Sequence, residues 1–201
     1  MEIEFVNRST IILKNKIINA LDEFVLNFVS IIEGFTDYVI VSGYIAILFG
    51  RSRGTEDIDT IIRPIDWKTF ESFYREVKRK GYYFINPGDA KDLYEMLREG
   101  LRIRVAIEET VIPNFELKFV RNDFERFAID NRLTVILDDK RLYISPIELQ
   151  IPYKLYLGGI RDIEDAVYLW EIFKNNIDLN LMKKFMNELG VSGEEYGIES
   201  R

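Results

Sequence analysis

The stretch VSGYIAILFGRSRGTEDIDT, residues 41–60, decides the fold that we expect of this chain. It joins a small-residue turn at Ser42 and Gly43 to an apolar run and a basic loop, and it ends with Asp57 and Asp59 on either side of one isoleucine. Alternate side chains of a strand share a face, so the two carboxylates point the same way, about 6.6 Å apart along the strand. Their repulsion disappears if a divalent cation lies between them, whereas at a solvated strand end water screens it. The tripeptide alone leaves both interpretations open.

The residues around this stretch predict strands and helices in alternation, because apolar runs of strand length alternate with segments of helical periodicity. A hairpin signal surrounds Asp138 and Asp139, and a break at Pro113 makes the strands before and after it antiparallel neighbours. The predicted strands cover 37–43, 56–62, 82–85, 101–107 and 114–120, with a hairpin over 132–145, and the predicted helices cover 44–50, 66–81 and 89–100.

Both ends of the chain are predicted to be helical. Ser9 or Thr10 caps a first helix, whose apolar positions recur at helical spacing until Gly34. Helical periodicity returns at Pro146, which takes the first position of a helix that we expect to kink at Pro152. The predicted domains are an α/β domain over 1–145, with the N-terminal helix, and a helical subdomain over 146–201 packed on it.

Composition limits the chemistry that the chain can perform. With 201 residues, 47% of them apolar and 30% charged, it can bury a core. It has no cysteine and no histidine, which excludes disulfides, thiolate metal sites and imidazole as a ligand or general base. Its net charge of −7 repels nucleic acid, so a contact with RNA would need a local basic patch. Any catalysis would therefore rest on carboxylates, Lys, Arg, Ser, Thr and Tyr.

The sequence also bears on the cellular location, the source and the oligomeric state of the protein. Charged residues interrupt the apolar N-terminal segment, which has no signal-peptide cleavage pattern, so we expect a cytoplasmic protein with no membrane partner. The abundance of Ile, Glu, Lys and Tyr, without Cys, is compatible with a thermophilic source. The sequence does not determine the oligomeric state, so a homodimer and a complex with a cognate partner protein are both open.

The order of residues in 41–60 resembles the signature of the nucleotidyltransferase fold, the superfamily that includes polymerase beta and many minimal nucleotidyltransferases. That signature is an apolar residue, Gly followed by Gly or Ser, a short spacer, and Asp-x-Asp or Asp-x-Glu. Here thirteen residues separate Gly43 from Asp57, and Ser42-Gly43 stands where Gly-Gly or Gly-Ser is usual. The loop Arg51-Ser-Arg-Gly-Thr55 looks like the form seen in toxin-type and abortive-infection nucleotidyltransferases.

The resemblance implies a minimal nucleotidyltransferase fold, with a short mixed sheet, helices on one face and the acids on the other. It implies an enzyme of the EC 2.7.7 class, which moves a nucleoside monophosphate from a nucleoside triphosphate such as ATP to an acceptor hydroxyl or phosphate and releases pyrophosphate. The acceptor is open, and tRNA, a protein side chain and a small molecule all remain candidates. Two Mg²⁺ ions would be held by Asp57, Asp59 and Glu116, which are also the implied catalytic residues.

The third carboxylate, Glu116, comes from the alternating strand FELKF, in which it shares a face with Lys118. Arg102 and Arg104 share one face of the strand before it, where they would hold triphosphate or acceptor if that face is the Glu116 face, and are solvated otherwise. Glu108, Glu109 and Asp123 are weaker alternatives for the third acid, because none lies inside an alternating strand.

Further residues are assigned by the same resemblance. Small residues at the turn would let a triphosphate approach backbone N–H groups at a helix start. The tail motifs, Lys154-Leu and then Arg161-Asp162-x-x-Asp165, look like later motifs of the toxin-type group, in which the acids would orient Lys154 or the acceptor. Acids in the first turn of a helix are also favoured by its dipole alone. The implied nucleotide-binding residues are Ser42, Gly43, Arg53, Thr55 and Lys154, and the accessory residues are Arg102, Arg104, Lys118, Arg161, Asp162 and Asp165.

Two other functional classes compete with this one. The first is a catalytically inactive nucleotidyltransferase-fold protein that acts as a binding module, for example as a partner in a toxin–antitoxin pair. The second is a nuclease or phosphatase that uses the same acids, although a hydrolase does not generally need the Ser-Gly turn and the tail lysine. Binding of a triphosphate and transfer of its nucleotide would separate the three.

Overall fold

A computed structural model describes residues 1–198 of the chain. The strands are β1 (Glu2–Asn7), β2 (Thr10–Lys14), β3 (Tyr38–Ile40), β4 (Asp57–Ile62), β5 (Tyr82–Phe84), β6 (Ile103–Ile107), β7 (Asn114–Phe119), β8 (Leu133–Leu137) and β9 (Lys140–Ile144). The helices are α1 (Ala20–Ile32), α2 (Gly43–Leu48), α3 (Trp67–Arg79), α4 (Ala90–Glu99), α5 (Asp123–Asp130), α6 (Ile147–Leu157), α7 (Ile160–Phe173) and α8 (Leu179–Leu189), followed by a 3₁₀ turn at Glu194–Tyr196.

All nine strands of this part of the chain belong to one mixed sheet, in the order β1-β2-β8-β9-β3-β4-β7-β6-β5. The pairs β2–β8, β3–β9 and β4–β7 are parallel, and the other neighbours are antiparallel. The predicted α/β class is therefore confirmed. The predicted antiparallel neighbours β6 and β7 and the hairpin β8–β9 are present, and α6 to α8 follow residue 145; the division into two domains stays a prediction.

The N-terminal helix predicted from Ser9 or Thr10 is wrong in its first half. Residues 2–14 form the hairpin β1–β2, and α1 begins only at Ala20, after the cap Asn19. The side chain of Asn7 accepts a hydrogen bond from the backbone N–H of Ser9 and closes the turn. In β2 the buried side chains alternate with partly exposed ones, which is the period of a strand, and the parallel pairing with β8 stabilises it.

Two smaller differences concern the second half of the chain. Helix α5 was not predicted; it begins after Asn122, whose side chain accepts a hydrogen bond from the N–H of Glu125. Helix α6 starts at Ile147, because Pro146 has an extended backbone and takes the cap position instead of the first helical position. Pro152 lies inside α6, where its missing N–H removes one helical hydrogen bond.

The two faces of the sheet are covered by different helices. On one face, the central strands pack against aromatic and aliphatic side chains of α1, α3 and α4, for example Phe115 of β7 against Phe28 of α1. On the other face, Val39 of β3 and Ile61 of β4 form a separate cluster with residues of α5, α6 and α8. Because successive side chains of β4 point to opposite faces of the sheet, Asp57 and Asp59 lie on the same face as Ile61. This is the face that α1 does not cover. No helix within residues 1–198 is long and apolar enough to span a membrane.

Candidate active site

Three carboxylates lie on one face of neighbouring strands. Asp57 and Asp59 belong to β4, and Glu116 belongs to the parallel strand β7, in register with Asp59. In-register residues of adjacent strands project to the same face, so Glu116 joins the aspartate pair as predicted from the alternation of FELKF. The weaker candidates are not part of this group: Glu108 and Glu109 are exposed after β6, and Asp123 is exposed in the first turn of α5.

Two arginines from the next strand hold Glu116. Arg104 lies opposite Glu116 in the antiparallel pair β6–β7 and donates to Oε1 through Nε at 2.7 Å and Nη2 at 2.5 Å. Arg102, just before β6, donates to Glu116 Oε2 through Nη1 at 2.8 Å. The same Nη1 lies 3.4 Å from Asp59 Oδ1. The arginines therefore lie on the Glu116 face, which was one of the two alternatives left open by the sequence.

The electrostatic environment of Asp59 reflects this crowding. Burial raises the pKa of Asp59 above its ordinary value, and the charges of Asp57 and Glu116 act in the same direction. The Arg102 guanidinium and a hydrogen bond from the Ser42 side chain oppose this shift of the pKa. Ionised Asp59 is therefore poorly compensated in the protein as it stands, and an additional positive charge would stabilise it.

Asp57, Asp59 and Glu116 offer the type of ligand that magnesium prefers, but Glu116 is already paired with arginines. All three side chains offer carboxylate oxygens, which are the ligands that hard cations prefer. Within residues 1–198, no three Asp or Glu side chains stand close enough together to hold a metal ion as they are. At Glu116, both carboxylate oxygens are bound by guanidinium groups of Arg102 and Arg104. Within the described residues, no salt bridge engages Asp57, and the one at Asp59 reaches Oδ1.

The turn before α2 has an unusual backbone that a buried glutamine holds. Ser42 has φ 65° and ψ −136°, which few non-glycine residues adopt. Its N–H donates to Gln150 Oε1, and Gln150 Nε2 donates to its carbonyl, each at 3.3 Å. Gln150 comes from α6, so the helical tail fixes the shape of this turn. Gln150 was not predicted as a site residue, although it is a polar residue within the largely apolar sequence of α6.

Gly43 makes room for Arg53. A Cβ on Gly43 would clash with Arg53 Nη2 and lie 3.1 Å from Cζ, so only glycine lets the guanidinium pack against this backbone. Arg53 Nη1 also donates to Asp165 Oδ2 at 2.8 Å. The loop is fixed further by Thr55, whose hydroxyl donates to the backbone carbonyl of Asp57 at 2.9 Å. Arg53 and Thr55, assigned to nucleotide binding by resemblance, thus both lie in the loop between α2 and the strand β4 that carries the aspartates.

Replacing Gly43 by Ala should lower the free energy of unfolding by about 1 to 2 kcal/mol, because the added methyl group pushes Arg53 away from Asp165. In an Arg53→Ala background the same replacement should be neutral, since the clashing group is gone. Chemical denaturation of the two single variants and the double variant measures this coupling. Gly54→Ala is the matched control, since a Cβ there meets no atom within 4 Å. Equal costs of Gly43→Ala in both backgrounds would show that Arg53 does not need the glycine.

A buried charge cluster connects this loop to the helical tail. Lys154, 1% exposed, donates to Asp162 at 2.6 Å and lies 2.8 Å from Asp165 Oδ2, while Asp165 itself is fully buried. Arg51 also pairs with Asp165. Asp162 and Asp165 do share a helix face and both hold Lys154, as the tail motifs imply. In the described part of the chain, Arg161 contributes to this cluster through its backbone carbonyl, which accepts a hydrogen bond from Arg51 at 3.2 Å.

The ion pairs of Arg51 with the acids of α7 were not predicted from the sequence. Arg51 also reaches Glu164 at 2.5 Å, so it joins the basic loop to two acids of α7. Its position in a basic loop gave no sign of which acid it would meet, since Glu164 and Asp165 lie more than a hundred residues away along the chain.

A cavity of about 310 Å³ lies beside the acids, between the sheet and helices α5 and α6. Asp59 and Ser42 line one part of it, and Phe124 and Tyr153 line another. Lys118, an accessory candidate, also lines the cavity but is paired with Glu125 of α5 at 2.5 Å. A volume of this size is within the range of small-molecule sites. The cavity therefore offers space for a ligand in contact with Asp59.

The fold and the arrangement of acids define the class: the chain has the nucleotidyltransferase fold. It is similar to an antigenic nucleotidyltransferase-like protein from Paracoccidioides brasiliensis, with a TM-score of 0.52 and 14% identity over 86% of this chain and 87% of that one. It is also similar to the antibiotic-resistance factor ANT(2'')-Ia, with a TM-score of 0.51 and 10% identity over 89% of this chain and 95% of that one. At these identities the likeness concerns the fold alone. No protein-family model matches the sequence, and no curated protein does.

Proposed function

We propose that the protein is a nucleotidyltransferase that moves a nucleoside monophosphate from a nucleoside triphosphate to an acceptor. The observation that supports this most directly is the placement of Asp57 and Asp59 on one face of β4, with Glu116 in register on β7. A solved nucleotidyltransferase-like protein shares the fold. The Ser42-Gly43 turn and the loop with Arg53 lie next to the acids along the chain, as the resemblance to this superfamily implies.

In the proposed reaction, an acceptor oxygen forms a bond to the α-phosphorus, and the bond from that phosphorus to the bridging oxygen of the leaving pyrophosphate breaks. Glu116 takes the acceptor's proton, and Arg104 keeps the Glu116 carboxylate oriented through Oε1. Ser42, Gly43, Arg53, Thr55 and Lys154 are the proposed contacts for the phosphates. Two bound Mg²⁺ ions, held by Asp57, Asp59 and Glu116, would supply charge neutralisation at the attacking and leaving oxygens.

One observation favours the alternative of an inactive binding module. The pairing of Glu116 with two guanidinium groups compensates a charge that an active site would need for other purposes. A module of this kind could still act as a partner protein, for example in a toxin–antitoxin pair. It would bind neither triphosphate nor cation at the acids. A protein that binds the triphosphate should instead gain about 2.7 kcal/mol in its free energy of unfolding when the free triphosphate concentration is a hundred times the dissociation constant.

Label transfer tests the proposal directly. The wild-type protein is incubated with Mg²⁺, total RNA, cell extract and each of the four α-labelled triphosphates in turn. With at least one of them, we expect label to become covalently attached to an acceptor and pyrophosphate to be released. Digestion with ribonuclease or protease then assigns the acceptor to RNA or protein. Asp57→Asn is the matched blank, because it keeps the side-chain volume and removes one carboxylate. Absence of label with every triphosphate and no thermal stabilisation would favour the inactive module.

A further inference from the structure

The position of Arg102 between two carboxylates is the feature that nucleotidyl transfer does not explain. A single nitrogen, Nη1, lies 2.8 Å from Glu116 Oε2 and 3.4 Å from Asp59 Oδ1, so one positive group bridges acids on two strands. Arg104 differs, because among residues 1–198 its ion pair is with Glu116 Oε1. The guanidinium of Arg102 thus occupies the space in which the two acids would share a cation.

The charges around the acids are consistent with competition. Asp57, Asp59 and Glu116 contribute three negative charges, and Arg102 and Arg104 contribute two positive ones, which leaves about one negative charge. Without Arg102 two negative charges remain, which one divalent cation would neutralise. A guanidinium and a divalent cation at the same oxygens would repel each other, so both cannot occupy this space.

The structure also gives Arg102 a way to leave. Its side chain is 51% exposed, whereas that of Glu116 is 4% exposed, so the arginine can move into solvent while the acid stays in place. The backbone of Arg102 is held separately, since its carbonyl accepts a hydrogen bond from Asn86 Nδ2 at 3.3 Å. Departure of the side chain would free Glu116 Oε2, and Arg104 would still hold Oε1.

We propose that Arg102 is a built-in competitor of the divalent cation at Asp59 and Glu116. Cation binding then requires the guanidinium to leave, and the affinity of the free protein for the cation is set by that exchange. The proposal rests on the proposed function only for the location of the cation. It assigns Arg102 a role that differs from that of Arg104: Arg102 blocks the shared oxygens, while Arg104 orients Glu116.

Titration with Mn²⁺, followed by electron paramagnetic resonance without nucleotide, tests the proposal in the wild type and three variants. Arg102→Gln should bind Mn²⁺ about fivefold more tightly than the wild type, the change that loss of one half-exposed ion pair supports. Arg104→Gln removes the same charge from the neighbouring position and should raise the affinity less than Arg102→Gln does, because within residues 1–198 the ion pair of Arg104 is with Glu116 Oε1 and does not bridge to Asp59. The double variant Asp59→Asn/Arg102→Gln should lose this increase in Mn²⁺ affinity. That result would place the bound Mn²⁺ at Asp59. Mn²⁺ should also raise the melting temperature of Arg102→Gln more than that of the wild type.

Several results would contradict the proposal that Arg102 competes with the divalent cation. They are an unchanged or weaker affinity in Arg102→Gln, an equal gain in Arg104→Gln, a gain that survives Asp59→Asn, and no Mn²⁺ binding in any variant. Label transfer separates this inference from the proposed function. Transfer by the wild type without a gain in Arg102→Gln refutes the competition alone, whereas a gain without transfer refutes the enzyme and leaves the competition standing.

Discussion

Replacing Asp59 by Asn is expected to reduce the rate of nucleotide transfer by at least about 10³-fold, equivalent to about 4 kcal/mol of transition-state stabilisation. Asp59 is the central acid of the three: it lies two residues from Asp57 on β4 and in register with Glu116 on β7. The amide keeps the shape of the side chain but removes the negative charge that would hold a cation beside the phosphates. Single-turnover label transfer at saturating triphosphate measures the loss.

The same substitution should leave the fold intact, which separates a catalytic defect from unfolding. Burial raises the pKa of Asp59 in the folded protein, so its ionised form costs stability. For an acid with a raised folded pKa, this cost appears as pH rises from the unfolded pKa through the folded one, and it is fully present at neutral pH. Asp59→Asn should therefore melt at or above the wild-type temperature at pH 7. A melting temperature several degrees lower would mean that Asp59 has a structural role.

Asp123→Asn serves as the control for charge, because Asp123 is fully exposed in the first turn of α5 and its ion pair is with Arg126 of the same helix. It removes the same carboxylate type from the surface and should change the transfer rate less than about twofold. An Asp59→Asn protein that retained a tenth or more of the wild-type rate would contradict the proposed role of the acids. Catalysis would then have to rest on other residues.

The sequence predicted the acids well because their placement depends on short-range periodicity. Alternation within a strand put Asp57 and Asp59 on one face, and alternation in FELKF put Glu116 and Lys118 on one face. The resemblance to the nucleotidyltransferase signature implied that the third acid comes from a neighbouring strand, and the structure pairs the two strands with Glu116 in register with Asp59. Helix caps such as Asp66, whose side chain accepts from the N–H of Thr69, are likewise local.

The remaining features depend on contacts that no local pattern specifies. Residues 2–14 have both apolar periodicity and β-branched residues, and the parallel pairing of β2 with β8, more than a hundred residues away, supports the strand form. The same limit applied to Arg102: alternation showed that it shares a face with Arg104, but whether this is the Glu116 face, and its contact with Asp59, required the order β4-β7-β6 of the folded sheet. Gln150 was hidden for the same reason, since its partner is the backbone of Ser42.

Replacing Asp165 by Asn is expected to lower the free energy of unfolding by about 3 to 5 kcal/mol, the largest stability effect that the structure predicts. Asp165 is fully buried and is the shared partner of Arg51, Arg53 and Lys154. An amide would leave Lys154, itself 1% exposed, with Asp162 as its acid. At about 2 to 4 °C per kcal/mol for a chain of this length, the melting temperature should fall by roughly 10 °C.

The control for Asp165→Asn is Glu164→Gln, which removes a carboxylate from the neighbouring position. Glu164 is 56% exposed and, among residues 1–198, its ion pair is with Arg51, so its loss should cost less than about 1 kcal/mol. A second variant, Lys154→Met combined with Asp165→Asn, removes the poorly compensated lysine and should recover part of the lost stability. Recovery would show that the cost comes from the poorly compensated buried charge of Lys154. If Asp165→Asn cost no more than Glu164→Gln, the cluster would not stabilise the junction between the basic loop and the helical tail.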